Sequence, residues 1–226
     1  MRWTTGPGAA LRGVVVLALL AVLTGCSEPE RAGGTPAGAD TGQLVTFVGD
    51  SWTHGVGATR SRGFPVLTAE ILGWEYVELG VSGSGYVVPG VDAPFRSRIT
   101  AAVAGDPDVI VVQGSLNEQG VDVAELSRAA RDTLARLREE ADPATEILVV
   151  GAPYTPGTNR ARIDGVNEAV SGAADAVGLR FVDPAVQNWT DPDDAGLWAD
   201  PIHPNDAGHR LVAERLAPVI EDLVDG

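Results

Sequence analysis

Lysine is absent from this chain of 226 residues: all 16 basic side chains are arginines. They are outnumbered by 31 acidic ones, and the formal net charge is −15. Phosphate backbones and anionic head groups are bound by clustered basic side chains, so this balance argues against nucleic-acid recognition. Cys26 is the only cysteine, which rules out an internal disulfide and leaves stability to packing. Histidine occurs three times, at His54, His203 and His209, with no His-x-x-x-His or paired-cysteine spacing, so no metal site and no cofactor are implied. Long apolar runs are missing as well. Val14 to Leu23 holds ten apolar residues, and a bilayer-spanning helix needs roughly 20.

That short run follows Arg2 and Arg12 and leads into Thr24, Gly25 and Cys26. A basic start, a short apolar core and small residues at the exit predict an export signal over residues 1–25. Leu23-Thr24-Gly25-Cys26 resembles the lipobox of bacterial lipoproteins, which implies a lipidated Cys26 as the first mature residue. Two acyl signals on one terminus suffice for stable anchoring without a spanning helix. The expected location is therefore the cell membrane, lipid-anchored on its extracytoplasmic face. Without Arg2 and Arg12 the net charge becomes −17. Residues 26–42, rich in Gly, Pro, Ala and Thr and lacking apolar periodicity, predict a flexible tether. Residues 43–226 have the length of one ordinary domain.

Within that domain, Leu44 to Val48, Tyr76 to Leu79, Val109 to Val112, Ile147 to Val150 and Arg180 to Val182 are strand candidates. Two of them, VIVV and ILVV, are apolar throughout, as expected of parallel strands covered on both faces. Helical periodicity is clearest from Val123 to Glu140, where Leu126, Ala130, Leu134 and Leu137 share a face. Asn159 to Val177 is a second helix, stopped by Gly178, and a third begins with Asn205 as its cap. Phe64 to Leu72 and Ala93 to Ala104 complete the set. Strands alternating with helices predict a three-layer α/β/α sandwich around a mainly parallel five-stranded sheet. Ligands of such sheets sit beyond the carboxyl ends of the strands. Ser51 follows the first strand, Gly83 the second, Asn117 the third and Tyr154 the fourth. Asp200 and His203 lie in the loop before the last helix.

Ser51, His203 and Asp200 form a set with one chemical logic. A serine hydroxyl becomes a nucleophile when a histidine takes its proton, and a carboxylate fixes that imidazole's tautomer. Asp200, three residues ahead of His203, can reach its Nδ1 across a tight turn. The alternatives are a helix-capping Ser51 and an Asp200 that only closes the turn. The α/β-hydrolase elbow Gly-x-Ser-x-Gly occurs nowhere. Asp50 reads as a loop-bracing acceptor and His209 as a packing or surface residue. For His54, a solvated or backbone-bonded ring is expected. Trp52, Tyr154 and Trp198, with Trp189, fall on loops expected around the site, either as substrate-lining walls or as core filling.

The motifs resemble those of the SGNH hydrolases, also called the GDSL esterase family. Gly49-Asp50-Ser51-Trp52-Thr53-His54-Gly55 is similar to its first block, Val81-Ser82-Gly83 to the second, Gly114-Ser115-Leu116-Asn117 to the third, and Asp200-Pro201-Ile202-His203-Pro204 to the last. The third block departs from the usual Gly-x-Asn-Asp, carrying Ser115 and Leu116 before Asn117 and Glu118 after it. The resemblance implies a flavodoxin-like SGNH fold and a triad of Ser51, Asp200 and His203. It also implies an oxyanion hole made of the Ser51 and Gly83 N–H groups and the Asn117 side chain.

The expected activity is hydrolysis of carboxylic esters, short-acyl ones in particular, through an acyl-Ser51 intermediate and with no cofactor. The substrate would be an acylated glycan, a lipid or a small molecule. Activity should rise with pH as His203 loses its proton. Two other readings fit the same residues: an acyltransferase acting on an envelope glycan or lipid, and a non-catalytic envelope-binding lipoprotein.

Overall fold

The computed structural model describes Gly33–Gly34, residues 42–91 and residues 93–226. The export-signal stretch 1–25 and Cys26 lie outside the described residues. So does the tether stretch 26–42, apart from Gly33–Gly34 and Gly42.

One sheet organises the domain. Its strands are β1 (Gly33–Gly34), β2 (Leu44–Gly49), β3 (Glu75–Gly80), β4 (Val109–Gln113), β5 (Glu146–Val150) and β6 (Arg180–Val182). The spatial order is β1-β3-β2-β4-β5-β6. Five strands run parallel, in registers such as Leu44 opposite Glu75 and Val45 opposite Val109. The two glycines of β1 add a short antiparallel edge, with Gly33 opposite Val77 and Gly34 opposite Tyr76.

The helices are α1 (Phe64–Leu72), α2 (Ile99–Ala102), α3 (Val123–Glu140), α4 (Arg160–Val177) and α5 (Asp206–Val224). α1 packs on α5, and α3 on α4. The β2-α1-β3 crossover runs opposite to the later ones, so right-handed connections put these pairs on opposite faces. That double cover leaves every residue of β4 buried and explains the unbroken apolar strings. Leu126, Ala130, Leu134 and Leu137 of α3 are buried, as their spacing predicts.

Helix ends follow side-chain chemistry. Asn159 accepts from Arg162 N at 3.2 Å, and Asn205 from Ala207 N and Gly208 N at 2.9 and 3.1 Å. Each such cap contributes about 1 kcal/mol. Gly178 closes α4 at φ 74°, a left-handed conformation in which a Cβ would be strained.

The predicted helix over Ala93 to Ala104 is corrected by the structure. Phe95–Arg98 is a 3₁₀ turn leading into the one-turn α2. Pro94 sets an extended entry, and the Arg98 backbone leaves helical geometry (φ −103°, ψ 1°) as its side chain turns inward.

Candidate active site

β2 and β4 are neighbours although β3 lies between them in the chain. The strand order reverses there, and loops beyond their carboxyl ends diverge to leave a crevice. The loop after β2 carries Ser51. It coils tightly, with His54 N on Asp50 O at 3.0 Å and Val56 N on Ser51 O at 2.9 Å. Gly49 permits that coil, because a Cβ there would lie 1.9 Å from Thr53 Oγ1.

His203 Nε2 lies 3.0 Å from Ser51 Oγ, and His203 Nδ1 lies 2.7 Å from Asp200 Oδ2. Asp200 also closes its own turn, Oδ1 accepting from Ile202 N at 2.8 Å and His203 N at 2.9 Å. Capping the turn and holding the ring are thus done by the two oxygens of one carboxylate. Burial pushes this carboxyl up, but hydrogen bonds from the His203 ring and the two N–H groups outweigh it and leave it below the usual range. Trp52 ties the two loops together, its indole N–H donating to Ile202 O at 2.9 Å.

On the other side of Ser51, Gly83 sits in a turn at φ 75°, closed by Ser84 N on Val81 O at 3.1 Å. The N–H groups of Ser51 and Gly83 donate to no other described residue. The Asn117 amide is more committed: Nδ2 lies 2.9 Å from both Ser84 O and Ser115 Oγ. Presenting an N–H elsewhere would require it to leave Ser115.

Beneath these turns lies a buried polar layer. Asp50 is wholly buried and accepts from Trp52 N at 2.9 Å and Ser115 Oγ at 3.0 Å. Burial raises its carboxyl above the usual range, and those bonds oppose the rise only in part. The bracing role expected of Asp50 is therefore visible in its partners. Glu118 accepts from Val87 N and Val88 N at 3.0 and 3.4 Å, holding the loop after Gly83, and burial raises it too. Arg98 donates from Nη1 to Gly49 O at 2.7 Å and to Leu79 O, and from Nη2 to Ser84 Oγ at 2.8 Å. Burial lowers it to about 10, against the opposing charges of Asp50 and Glu78.

Arg98, Glu118, Ser84 and Ser115 were not singled out as site residues by sequence reasoning. The only trace of Arg98 is its place between the apolar Phe95 and Ile99, which Arg96 shares. Its partners are backbone oxygens, which no motif displays.

Of the aromatics expected as walls or core filling, two are core. Trp52 is 1 % exposed, which corrects its placing among the substrate-lining residues. Trp189, 3 % exposed, is core as well. Trp198 is half-buried, rests 6.0 Å from the Trp52 ring and donates to Asp191 O at 3.1 Å. Tyr154 turns its hydroxyl to Asp164 of α4, and the Arg160 guanidinium covers its ring at 4.9 Å. His54 is half-exposed with Nδ1 3.8 Å from Glu78. Among the described residues, no group of three or more His, Cys, Asp or Glu side chains could hold a metal ion. No helix among them is long and apolar enough to cross a membrane.

The fold and site define a serine hydrolase acting on ester bonds. The chain belongs to the GDSL-like lipase/acylhydrolase family, whose model matches residues 47–211. It is 32 % identical over 187 residues to GDSL lipase Rv0518 of Mycobacterium tuberculosis, covering 78 % of this chain and 80 % of that one. Its fold resembles the aryl esterase of M. smegmatis, with a TM-score of 0.66 at 16 % identity over 80 % of this chain and 99 % of that one. It also resembles Est24, a carbohydrate acetylesterase from Sinorhizobium meliloti, with a TM-score of 0.64 at 16 % identity and the same coverage.

Proposed function

We propose that the protein is a lipid-anchored, extracytoplasmic esterase that hydrolyses short-acyl carboxylic esters through an acyl-Ser51 intermediate. The observation that carries the mechanism is the unbroken series Asp200 Oδ2, His203 Nδ1, His203 Nε2, Ser51 Oγ, with gaps of 2.7 and 3.0 Å. Ser51 Oγ attacks the carbonyl carbon while His203 Nε2 takes its proton, and Asp200 steadies the resulting imidazolium. The carbonyl oxygen, now an anion, meets the N–H groups of Ser51 and Gly83, with Asn117 as a third donor if it leaves Ser115. His203 returns the proton to the departing alcohol. Water, deprotonated in turn by His203, then releases the acid and restores Ser51.

Preference for short acyl groups is supported by the name of a structural neighbour, Est24, a carbohydrate acetylesterase. Anchoring through Cys26 rests on the leader and lipobox-like residues of the sequence.

The test is turnover of p-nitrophenyl esters from acetate to palmitate by the protein and its Ser51→Ala variant. Ser51-dependent rates that fall with chain length are expected. Equal rates in the two proteins would sink the mechanism, and rates that climb towards palmitate would replace short-acyl by long-chain specificity. Metabolic labelling with a fatty acid should mark the wild type and spare Cys26→Ser; equal labelling would remove the proposed anchor.

A further inference from the structure

We infer that Arg98 is the positioning residue of the oxyanion hole, its single guanidinium fixing the Ser51 and Gly83 N–H groups relative to each other. This rests on reading Ser51 as the nucleophile and those two N–H groups as oxyanion donors.

The two donors belong to different strand ends. Ser51 follows Gly49, the last residue of β2, and Gly83 follows Gly80, the last residue of β3. The sheet holds the strands in register only up to Gly49 opposite Gly80 and Val81 N on Gly49 O at 3.0 Å. Beyond that point the chains part, and nothing in the ladder sets the distance between the two turns. Arg98 ties the Gly83 turn back to the last paired residues of both strands, beside Ser115 Oγ, which links Asp50 Oδ2 at 3.0 Å to Ser84 O at 2.8 Å. Nη1 binds Gly49 O on the Ser51 side and Leu79 O on the Gly83 side. Nη2 binds Ser84 Oγ, whose own proton goes to Val81 O at 2.7 Å and closes the Gly83 turn. The third leg joins through the same residue, since Asn117 Nδ2 donates to Ser84 O.

The guanidinium suits this work because its N–H groups point in fixed directions in one plane. It is itself fixed: Arg98 is 8 % exposed and its guanidinium carbon lies 5.0 Å from the Phe95 ring centre. A lysine ammonium could satisfy part of the set but has no rigid fork. The cation makes no ion pair with any described residue at contact distance, and most of its bonds go to backbone carbonyls and a hydroxyl. Stability alone would be served more cheaply by an apolar side chain. Burying a charge to hold two turns makes sense where their separation matters to a fraction of an ångström, as it does for donors aimed at a developing oxyanion.

The test uses the full-length protein in detergent, with Arg98→Lys, Arg98→Gln and, as a surface control, Arg136→Gln. Three quantities are read: kcat/KM on p-nitrophenyl acetate, inhibition by a small trifluoromethyl ketone, and inhibition by the matching secondary alcohol. The ketone becomes an oxyanion when Ser51 adds to it; the alcohol cannot. We expect kcat/KM to fall about tenfold in Arg98→Lys and about a hundredfold in Arg98→Gln. Ketone affinity should fall in step, with alcohol affinity within about twofold and Arg136→Gln unchanged throughout. A kcat/KM within about twofold of wild type, or ketone and alcohol affinities that fall together, would overturn the assignment. Should Arg98→Gln fail to fold, Ser84→Ala cuts the same link at one bond and should show the ketone-selective loss on a smaller scale; no such loss overturns the assignment. Failure of the underlying reading looks different. In that case wild type itself shows no Ser51-dependent turnover and no labelling of Ser51 by a phosphonate.

Discussion

His203 and His209 stand six residues apart, yet the fold gives them opposite work. His203 sits in an irregular turn with one nitrogen on Asp200 and the other on Ser51 Oγ. His209, in the first turns of α5, is fully buried: Nδ1 accepts from Phe64 N at 3.2 Å and Nε2 donates to Val56 O at 3.1 Å. Its ring stacks on Phe64 and meets Trp52 edge-on. Both of its nitrogens are spent on backbone, so it is held as one neutral tautomer. The difference teaches that a histidine's chemistry depends on which partner its second nitrogen is given. A hydroxyl that can lose a proton makes a base, and a carbonyl that cannot makes a strut.

The most severe way to test this contrast is His203→Ala, which removes the proposed base and should lower kcat by about 10⁴-fold or more with the fold retained. Circular dichroism beside ester turnover checks it, and a loss under tenfold would break the contrast at its stronger end. Asp200→Asn comes next. The amide can still accept from Ile202 N and His203 N, so the turn should survive, but the ring loses its anionic partner. A fall in kcat of about 10²- to 10⁴-fold is expected, with the melting midpoint nearly unchanged. Because hydrogen bonds hold Asp200 below the ordinary carboxylate range, it stays ionised across the working range. The acid limb of wild-type kcat/KM should therefore show the slope of a single proton, with activity lost as pH falls. A two-proton limb would show that a carboxyl, Asp200 or the burial-raised Asp50, gains its proton over the same range.

Much of this was legible before the fold was known. The five parallel strands, four of the helices and the turn pairing Asp200 with His203 are local, written in apolar runs, asparagine caps and a three-residue spacing. What could not be read is what depends on distant chain segments meeting. His209 looks like any polar residue near a helix start until Phe64 N and Val56 O, 145 and 153 residues earlier, close on it. Trp52 looks like a loop aromatic until α1 and α5 cover it. The edge strand Gly33–Gly34 has no side chains to announce it, since its pairing with Tyr76 and Val77 is made by backbone alone. Arg98 acts through carbonyls, which every residue possesses.

At the structural end of the contrast, His209→Phe keeps the ring volume and leaves the Phe64 N–H and the Val56 carbonyl without their partner. Each orphan costs about 1–3 kcal/mol, so a loss of roughly 2–6 kcal/mol is expected. The melting midpoint should drop by about 4–24 °C. Turnover by the folded fraction should stay within about twofold of wild type, which chemical denaturation and ester assays together can show. A large fall in kcat at unchanged stability would mean that His209 reaches the chemistry after all.

The same residue makes a finer prediction with acid. Burial lowers His209 below its ordinary value of 6.5, and the bond to Val56 O offsets this only in part. The unfolded chain therefore takes up the proton first. Stability from this group is fully present above the unfolded value and is lost as pH falls from 6.5 towards the folded one, at up to about 1.4 kcal/mol per pH unit. Asp50 and Glu118 act in the opposite sense: their carboxyls are raised by burial, so protonation favours the folded state. The net slope for the wild type mixes these effects. Subtracting the curve of His209→Phe removes what the two proteins share and leaves the histidine. The stability gap between them should narrow as pH falls below 6.5, because only the wild type has a histidine here whose protonation favours unfolding. Parallel curves from pH 7 to about 5 would mean that His209 is charged as easily inside the fold as outside it. The contrast with His203 would then rest on position alone.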